Sequence, residues 1–423
     1  MNRSAIERTI EAVWHMESAK IIAKLARMLR NVGLAEEIAQ DAWVAALEQW
    51  IDAGVPENPG AWLMATAKNR AIDQLRRHQL AERKSALMMH DPDLLASTQL
   101  GEEGADSIAD DLLRLIFAAC HPVLSMEGRV ALTLRLVGGL TAAEIARAFL
   151  TSEAAIQQRI VRAKRTLSEA RVPFEVPEAA DRAQRLASVL EVIYLIFNEG
   201  YAATSGEDWM RPALCEEALR VGRILAEIDP KAAEVHGLVA LMELQASRTL
   251  ARIGASGEPI LLPKQNRALW DQLLIRRGFA ALARAQSFDG PLGPYALQGA
   301  IAACHARART PQDTDWPRIV ALYDALYEVQ PSPIVTLNRA VAVSMAYGPA
   351  AALEIVDTLR DESRLRAYHL LPSVRGDLLE RLGRFEEARA EFSHAASLAH
   401  NARERSLLLL RAADCTQEVG PPN

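Results

Sequence analysis

Amide and guanidinium side chains in the segment EAAIQQRIVRAKRTLSEA, residues 153–170, are suited to hydrogen bonding with nucleic-acid bases. Helical spacing places four side chains on one side within two turns: Gln157, Gln158, Val161 and Arg162. A glutamine presents a donor and an acceptor together to an adenine edge, and an arginine pairs with guanine. Neighbouring cations supply the phosphate contacts that fix register: Arg159, Lys164 and Arg165. We predict that this face contacts DNA; the alternative is a solvated basic surface.

The elements around this segment follow helix-turn-helix patterning. The preceding run TAAEIARAF begins with Thr141 as N-cap and Glu144 at the third helical position, which predicts a capping box. A three-residue turn, LTS, then leads into the second helix. Apolar residues of the second helix that face the core are predicted to be Ile156, Ile160 and Ala163.

A second polar helix is predicted to begin at Trp62, after the Pro- and Gly-rich turn at 51–60. It places Asn69, Asp73 and Arg76 on one face, at i, i+4 and i+7. Further cations lie beside this face: Lys68, Arg70 and Arg77. Such spacing is common in salt-bridged surface helices, but it also fits a nucleic-acid contact that holds unstacked bases.

Composition favours an all-α, soluble, intracellular protein of several domains. The chain has 423 residues, of which half are apolar and only 5% are aromatic. No apolar run is long enough for a membrane span, and the first twenty residues carry charges throughout, unlike a signal peptide. The four cysteines lie far apart, without a C-x-x-C pair, which argues against a disulfide framework or a zinc ribbon.

Enzyme classes find little support in the sequence. It lacks the motifs GxxxxGK[ST], GxGxxG, GxSxG and HExxH, so we expect no catalytic residue, no metal and no cofactor. Cys120 precedes His121 directly, but adjacent helical residues point about a hundred degrees apart. A buried core cysteine is therefore the favoured interpretation. Three histidines are interpreted as isolated and structural: His236, His305 and His369.

Charge divides the chain into segments although the net charge is −6. Residues 81–113 have a net charge of −6, whereas residues 114–173 have a net charge of +5. This pattern predicts an acidic linker ahead of a basic DNA-contacting module. Four domains are predicted: a helical module at 1–80, a flexible linker at 81–110, the helix-turn-helix module at 111–172 and a helical domain at 173–423.

These segments together resemble the extracytoplasmic-function sigma factors, the bacterial subunits that give RNA polymerase its promoter specificity. AEEIAQDAWVAALEQW is similar to their polymerase-binding helix in region two, and NPGAWLMATAKNRAIDQLRR to the helix that reads the minus-ten element. Residues 125–167 resemble region four. DDLLRLIFAACHPVLS, VIYLIFNEGYAATSGEDWM and GPYALQGAIAACHA resemble the subgroup often called group 42, which carries a long C-terminal tetratricopeptide-like domain.

The resemblance implies binding to core RNA polymerase, at the clamp helices of its largest subunit and at its flap, and to promoter DNA, in the cytoplasm. The polymerase-binding residues would be Glu36, Glu37, Gln40 and Asp41. Loop 51–58 and the helix from Trp62 would hold the melted minus-ten strand, with Asn69 near bases and four cations near phosphates: Lys68, Arg70, Arg76 and Arg77. Gln157, Gln158, Val161 and Arg162 would enter the major groove at the minus-thirty-five element, with Arg159, Lys164 and Arg165 on the backbone.

The segment from 173 onward is expected to form an α-solenoid of five to seven tetratricopeptide-like hairpins. Its clearest stretch, residues 372–399, has small and aromatic residues at repeat spacing: Gly376, Gly383, Phe385, Ala388, Phe392 and Ala395. We expect this domain to regulate the sigma module in cis, by binding a segment of it, a peptide or another protein; the alternative is that it only stabilises the fold. The alternatives are a helix-turn-helix regulator with a tetratricopeptide sensor, acting without polymerase, and a scaffold that binds no DNA.

Overall fold

The computed structural model describes residues 3–86, 105–149, 151–203, 207–254 and 257–418. Over these residues the fold is all-α, as the sequence predicts, and the single β feature is an isolated bridge between Ile253 and Pro259. None of the described helices is long and apolar enough to cross a membrane. The α-helices within this part of the chain are α1 Arg3–Leu29, α2 Val32–Ala53, α3 Pro59–Ala86, α4 Ala105–Ala119, α5 Met126–Leu136, α6 Ala142–Ala148, α7 Glu153–Glu169, α8 Ala179–Tyr201, α9 Pro212–Ile228, α10 Ala233–Ala246, α11 Gln272–Gln286, α12 Pro294–Arg307, α13 Trp316–Val329, α14 Pro333–Tyr347, α15 Pro349–Asp357, α16 Leu370–Arg381, α17 Phe385–Leu398 and α18 Ala402–Glu418.

The chain divides into two compact units, Met1–Ile193 and Tyr194–Asn423, which are described separately. In the first unit, α1 packs against α2, α3 and α4, and its apolar face is almost completely buried. The largest fully buried side chains of that face are Ile10, Ile21, Ile22 and Leu25. Helices α1 to α3 and helix α4, on either side of the predicted linker, therefore share one core in this unit.

The junction between α1 and α2 consists of a left-handed residue followed by an asparagine N-cap. The left-handed residue that ends α1 is Arg30, with φ +50°, and Asn31 then caps α2 by accepting the Leu34 N–H at 3.0 Å. Gly33 already lies in the first turn of α2. Asn31 caps α2 two residues after α1 ends, so the second helix begins directly after the left-handed Arg30.

Helices occupy both ends of the predicted 81–110 linker. Helix α3 continues through Ala86, because residues 81–86 are mostly good helix formers, and α4 begins at Ala105. The middle of the predicted linker, 87–104, lies outside the described residues. The four-domain division stays a prediction.

The first half of α8 packs on the helix-turn-helix region. The Ser188 hydroxyl accepts from Arg129 Nη1 at 2.6 Å and donates to the Cys120 carbonyl at 2.9 Å. Arg185 Nη2 donates to the Phe117 carbonyl at 2.9 Å. These contacts attach the beginning of α8 to α4 and α5.

In the second unit, each helix from α9 to α18 packs against the next one along the chain. The α16–α17 pair shows why the small and aromatic residues alternate: a Cβ at Gly376 would lie 2.8 Å from the Phe392 ring. Gly383 turns the chain between the two helices with φ +74°. Ala388, Phe392 and Ala395 are fully buried, as their spacing predicts. The sequential packing of helices fits a stack of hairpins; the tetratricopeptide assignment stays a prediction.

The beginning and the end of the second unit meet. The fully buried Asn401 side chain donates to the carbonyls of Ala203, at 3.3 Å, and Asp208, at 2.9 Å. Its Oδ1 accepts the backbone N–H groups of Arg403 and Glu404 at the start of α18. One amide therefore caps a helix and fastens it to a loop about 200 residues earlier.

Candidate nucleic-acid and protein interface

The predicted DNA-contacting face of α7 is presented to solvent by a buried face behind it. Ser152 caps the helix by accepting the Ala155 N–H at 3.2 Å. The predicted core residues Ile156, Ile160 and Ala163 are all buried. On the opposite side, four side chains are exposed: Gln157, Gln158, Val161 and Arg162.

The capping box at the preceding helix is confirmed. The Thr141 N–H donates to Glu144 Oε2 at 2.7 Å, and the Glu144 N–H donates to Thr141 Oγ1 at 3.1 Å. This reciprocal pair fixes the start of α6. Together with the short turn that follows, it sets the path of the chain into α7.

An apolar side chain with high exposure distinguishes this face from an ordinary solvated helix surface. Val161 is 63% exposed between the glutamines and Arg162. Gln157 Nε2 donates to Glu153 Oε1 at 3.0 Å. The Gln158 side chain makes no hydrogen bond with the described residues. A donor, an acceptor, a guanidinium and a small apolar surface are thus available together, which is the set needed to read base edges and thymine methyl groups.

The three flanking cations of α7 have different surroundings. Arg159 is half-buried, and the exposed Arg165 pairs with Glu169 at 2.6 Å, in the next turn of the same helix. Lys164 instead forms an ion pair with Glu36 of α2. The structure therefore leaves Arg165 at the surface and engages Lys164 within the first unit.

On α3, the residues predicted to contact the melted strand lie along the outer face. Asn58 caps this helix by accepting the Ala61 N–H at 3.1 Å, and Trp62 packs edge-on against Trp50 with ring centroids 5.3 Å apart. Leu63, Ala67 and Ala71 form the buried stripe of the helix. The exposed residues opposite that stripe are Asn69, Asp73, Arg76 and Arg77.

The charged groups of α3 are partly paired. Arg70 lies 3.6 Å from Asp41 of α2, and Arg76 lies 3.8 Å from Asp73 on its own helix. Arg77 Nε donates to the Asp73 carbonyl at 3.4 Å, and Lys68 is half-buried. Exposed pairs of this kind stabilise a fold by less than about 1 kcal/mol, so their cations are readily available to a phosphate.

The four predicted polymerase-binding residues of α2 fall into two groups. Glu37 and Asp41 are exposed on the outer face. Glu36 is only 2% exposed, and Gln40 Nε2 donates to its Oε1 at 2.6 Å. The same Oε1 accepts from Arg135 Nε at 2.6 Å, and Lys164 pairs with the carboxylate as well.

Several side chains relevant to these faces were not identified from the sequence. Arg135 of α5 bridges Glu36 and the Leu140 carbonyl, the latter at 3.0 Å. Val44 is 47% exposed and continues the Glu37–Asp41 face at the next helical turn. The helical period of residues 37, 41 and 44 carries this signal, whereas nothing local to Arg135 indicates its partner 99 residues away.

Cys120 and His121 do not form a nucleophile and base. The buried Cys120 thiol lies 3.2 Å from Thr133 Oγ1, and desolvation raises its pKa to about 11. His121 Nδ1 accepts the Val123 N–H at 3.1 Å, and burial with the nearby Arg185 lowers the pKa of the ring to about 4. The thiol is therefore protonated at neutral pH, and all four cysteines are buried and free. Among the described residues, no group of three or more acidic, histidine or cysteine side chains is placed to hold a metal ion.

Three family models match the chain. Sigma-70 region 2 matches residues 15–81, and Sigma-70, region 4, matches residues 114–167. A family of unknown function, DUF6596, matches residues 185–286. No solved structure matches the chain.

Relatives cover both the whole chain and its first part. A protein of Rhizobium meliloti (strain 1021) described as uncharacterized is 45% identical over 391 residues, covering 92% of this chain and 91% of the relative. The ECF RNA polymerase sigma factor SigK of Mycobacterium ulcerans (strain Agy99) is 32% identical over 154 residues, covering 35% of this chain and 78% of the relative. SigK of Mycolicibacterium vanbaalenii is 28% identical over 173 residues, covering 37% of this chain and 81% of the relative. With regions 2 and 4 in order and these relatives matched over most of their length, the chain belongs to the extracytoplasmic-function (ECF) RNA polymerase sigma factor family.

Proposed function

We propose that this sigma factor binds core RNA polymerase in the cytoplasm and directs initiation at promoters whose minus-thirty-five element is read by α7. The observation that carries the proposal is the exposed set on that helix, where Gln158, Val161 and Arg162 stand over a buried apolar stripe. A firmly packed helix with polar and apolar groups on its free side meets the requirements of major-groove readout.

The polymerase-facing surface is proposed to be the outer face of α2. Glu37 and Asp41 are exposed there, and Val44 adds an apolar contact one turn further. A clamp helix with basic and apolar side chains would complement this face. The minus-ten strand is proposed to lie along α3, where Asn69, Arg76 and Arg77 are exposed, and along the loop before it, which is shorter than predicted and spans residues 54–58 because α2 continues through Ala53.

The roles expected for Glu36 and Lys164 require a rearrangement of the first unit. Glu36 is buried against Arg135 and Lys164, so region 2 and region 4 hold each other through these groups. A protein that contacts two promoter elements on the polymerase surface must spread its two DNA-binding regions apart. The described arrangement is therefore proposed to be a closed form, which opens when core polymerase is bound.

The residues beyond region 4 are proposed to regulate the sigma module in cis. Support comes from the attachment of Arg185 and Ser188 to α4 and α5, which makes the beginning of α8 part of the region-4 core. Any protein or peptide ligand of the helices that follow would act on a segment continuous with that core.

Run-off transcription with purified bacterial core polymerase tests the main proposal. The template is the upstream region of the protein's own gene together with neighbouring promoters. We expect a discrete start site that needs the protein and that is lost, by at least about tenfold in yield, in the Gln158→Ala/Arg162→Ala variant, because each base contact contributes roughly 1–3 kcal/mol of discrimination.

A matched control exchanges the same residue types at exposed positions of the second unit, Gln330→Ala/Arg389→Ala, and should leave transcription unchanged. Tight operator binding by the protein alone, with no response to core polymerase, would contradict the proposal and favour a helix-turn-helix regulator that acts without polymerase.

A further inference from the structure

A cavity of about 720 Å³ opens in the first unit where the α1–α2 junction faces α4 and the end of α7. Its cationic walls come from both sigma regions: Arg27, Arg30, Arg114, Lys164 and Arg171. One acidic side chain, Glu175, completes the polar lining. The cavity lining includes none of the side chains expected to contact DNA bases, and of the expected phosphate contacts it includes Lys164, which is paired with Glu36.

Three of these cations are balanced by buried carboxylates behind the wall. Asp111, 1% exposed, lies 2.7 Å from Arg114 Nη1 and 3.5 Å from Arg27 Nε. Lys164 pairs with Glu36. Arg30 and Arg171 are exposed, and neither side chain makes an ion pair or hydrogen bond with the described residues. The cavity therefore retains positive charge at these two arginines.

The backbone at these same two arginines is strained. Among the described residues, Arg30 (φ +50°) and Arg171 (φ +47°) are the two non-glycine positions with left-handed backbone. An L-residue in this conformation costs about 1–2 kcal/mol, and glycine is the usual occupant after a helix end. Both strained positions carry an arginine, and both line the same cavity. Each arginine stands just past a helix end, where left-handed backbone commonly terminates a helix, and where glycine is usual this chain places a cation in the cavity lining.

The remaining wall is apolar and aromatic. Leu167, Val172 and Phe174 contribute it. Cations and an aromatic ring in one cavity match a ligand with a polyphosphate group and a planar base. We propose that this cavity binds a nucleoside di- or triphosphate, with Arg30 and Arg171 holding the phosphates and Phe174 against the base.

Such a ligand would contact both sigma regions at once. Arg30 belongs to the region-2 side and Arg171 to the region-4 side of the cavity. A ligand that binds only when the two sides face each other stabilises that arrangement by mass action. The nucleotide would therefore favour the closed form over the open one.

Isothermal titration calorimetry on the full-length protein tests the site without polymerase, so its outcome is independent of the proposed function. The probes are adenosine triphosphate, guanosine triphosphate, pyrophosphate and adenosine. We expect both nucleotides to bind, pyrophosphate to compete with them and adenosine alone to bind much more weakly. Raising the salt concentration should weaken binding, because the contacts are ionic.

The decisive variant is Arg30→Gly/Arg171→Gly, because glycine removes the cations and relieves the strain together. Nucleotide affinity should fall at least about tenfold, since charge-assisted contacts are lost, while the melting temperature stays equal or rises. The control Arg360→Ala/Arg389→Ala removes two exposed arginines of the second unit and should keep wild-type affinity.

Absence of nucleotide binding by the wild type, or unchanged affinity in the glycine variant, would overturn the proposal. Binding of random-sequence duplex DNA that depends on these two arginines, without nucleotide binding, would assign the cavity to nucleic acid and overturn it too.

Discussion

His305 shows how burial changes the chemistry of a single side chain. Its ring packs edge-on against Trp316 with centroids 5.2 Å apart. Desolvation, with the charges of Arg248 and Arg267 nearby, lowers its pKa to about 3. In an unfolded chain the ring titrates near 6.5. Below that pH the unfolded chain binds a proton that the folded protein does not, so stability is lost as the pH falls from about 6.5 toward 3.

The variant His305→Phe should reduce this loss, because phenylalanine keeps the contact with Trp316 and does not titrate. Between pH 7.5 and pH 5 we expect the wild type to lose more unfolding free energy than the variant, by on the order of 1 kcal/mol. Urea unfolding at the two pH values measures the difference. An equal pH dependence in the two proteins would show that folding does not lower the pKa of His305.

Besides the packing of α1 on α4, region 2 meets region 4 where α2 approaches α7. A Cβ placed at Gly33 lies 4.0 Å from the Cβ of Lys164, and Glu36 one turn later pairs with the same lysine. The separation is within the 3.5–4.5 Å range of disulfide-linked residues. Because all four native cysteines are buried, an engineered pair at the surface would form selectively.

The double variant Gly33→Cys/Lys164→Cys should therefore lock the first unit under oxidising conditions. If the closed form must open on the polymerase, oxidation should lower run-off transcription of the double variant at least about tenfold, and dithiothreitol should return it to the level of the Lys164→Cys single variant. The two single variants under oxidation serve as controls. Full activity of the cross-linked protein would show that no separation is required.

The two units of the molecule divide inside α8 instead of at its start. In the first half of α8, Arg185 and Ser188 form hydrogen bonds with the carbonyls of Phe117 and Cys120, in the first unit. In the second half, Tyr194 contacts Tyr295 and Gln298, in the second unit. A truncation after residue 173 would remove partners of buried polar groups in region 4. A truncation after residue 201 keeps them.

Fragment 1–201 should accordingly melt several degrees higher than fragment 1–173, since each lost hydrogen bond contributes about 1 kcal/mol and leaves a partner unsatisfied. Thermal unfolding followed by circular dichroism compares the two. Fragment 1–201 then tests regulation in cis: its transcription should differ from that of the full chain. Unchanged transcription at equal protein level would contradict the regulatory role.

Local patterns determined a large part of this fold. The capping box at Thr141 and Glu144, the turn that follows it and the buried positions Ile156 and Ile160 are encoded within about twenty consecutive residues. Short-range hydrogen bonds and helical periodicity require nothing from distant parts of the chain, so the sequence reveals them directly. The exposed face of α7 follows from the same periodicity.

Contacts between distant segments were decided by tertiary packing. The Glu36–Arg135 pair spans 99 residues and the Asn401–Ala203 hydrogen bond spans 198, and neither partner carries a local signal of the other. The sequence predicts that Glu36 lies on an exposed face of α2; it is buried because α5 and α7 pack over it with Arg135 and Lys164. Likewise, Arg30 and Arg171 are ordinary arginines in the sequence; their shared cavity arises only when the ends of α1 and α7 are brought together.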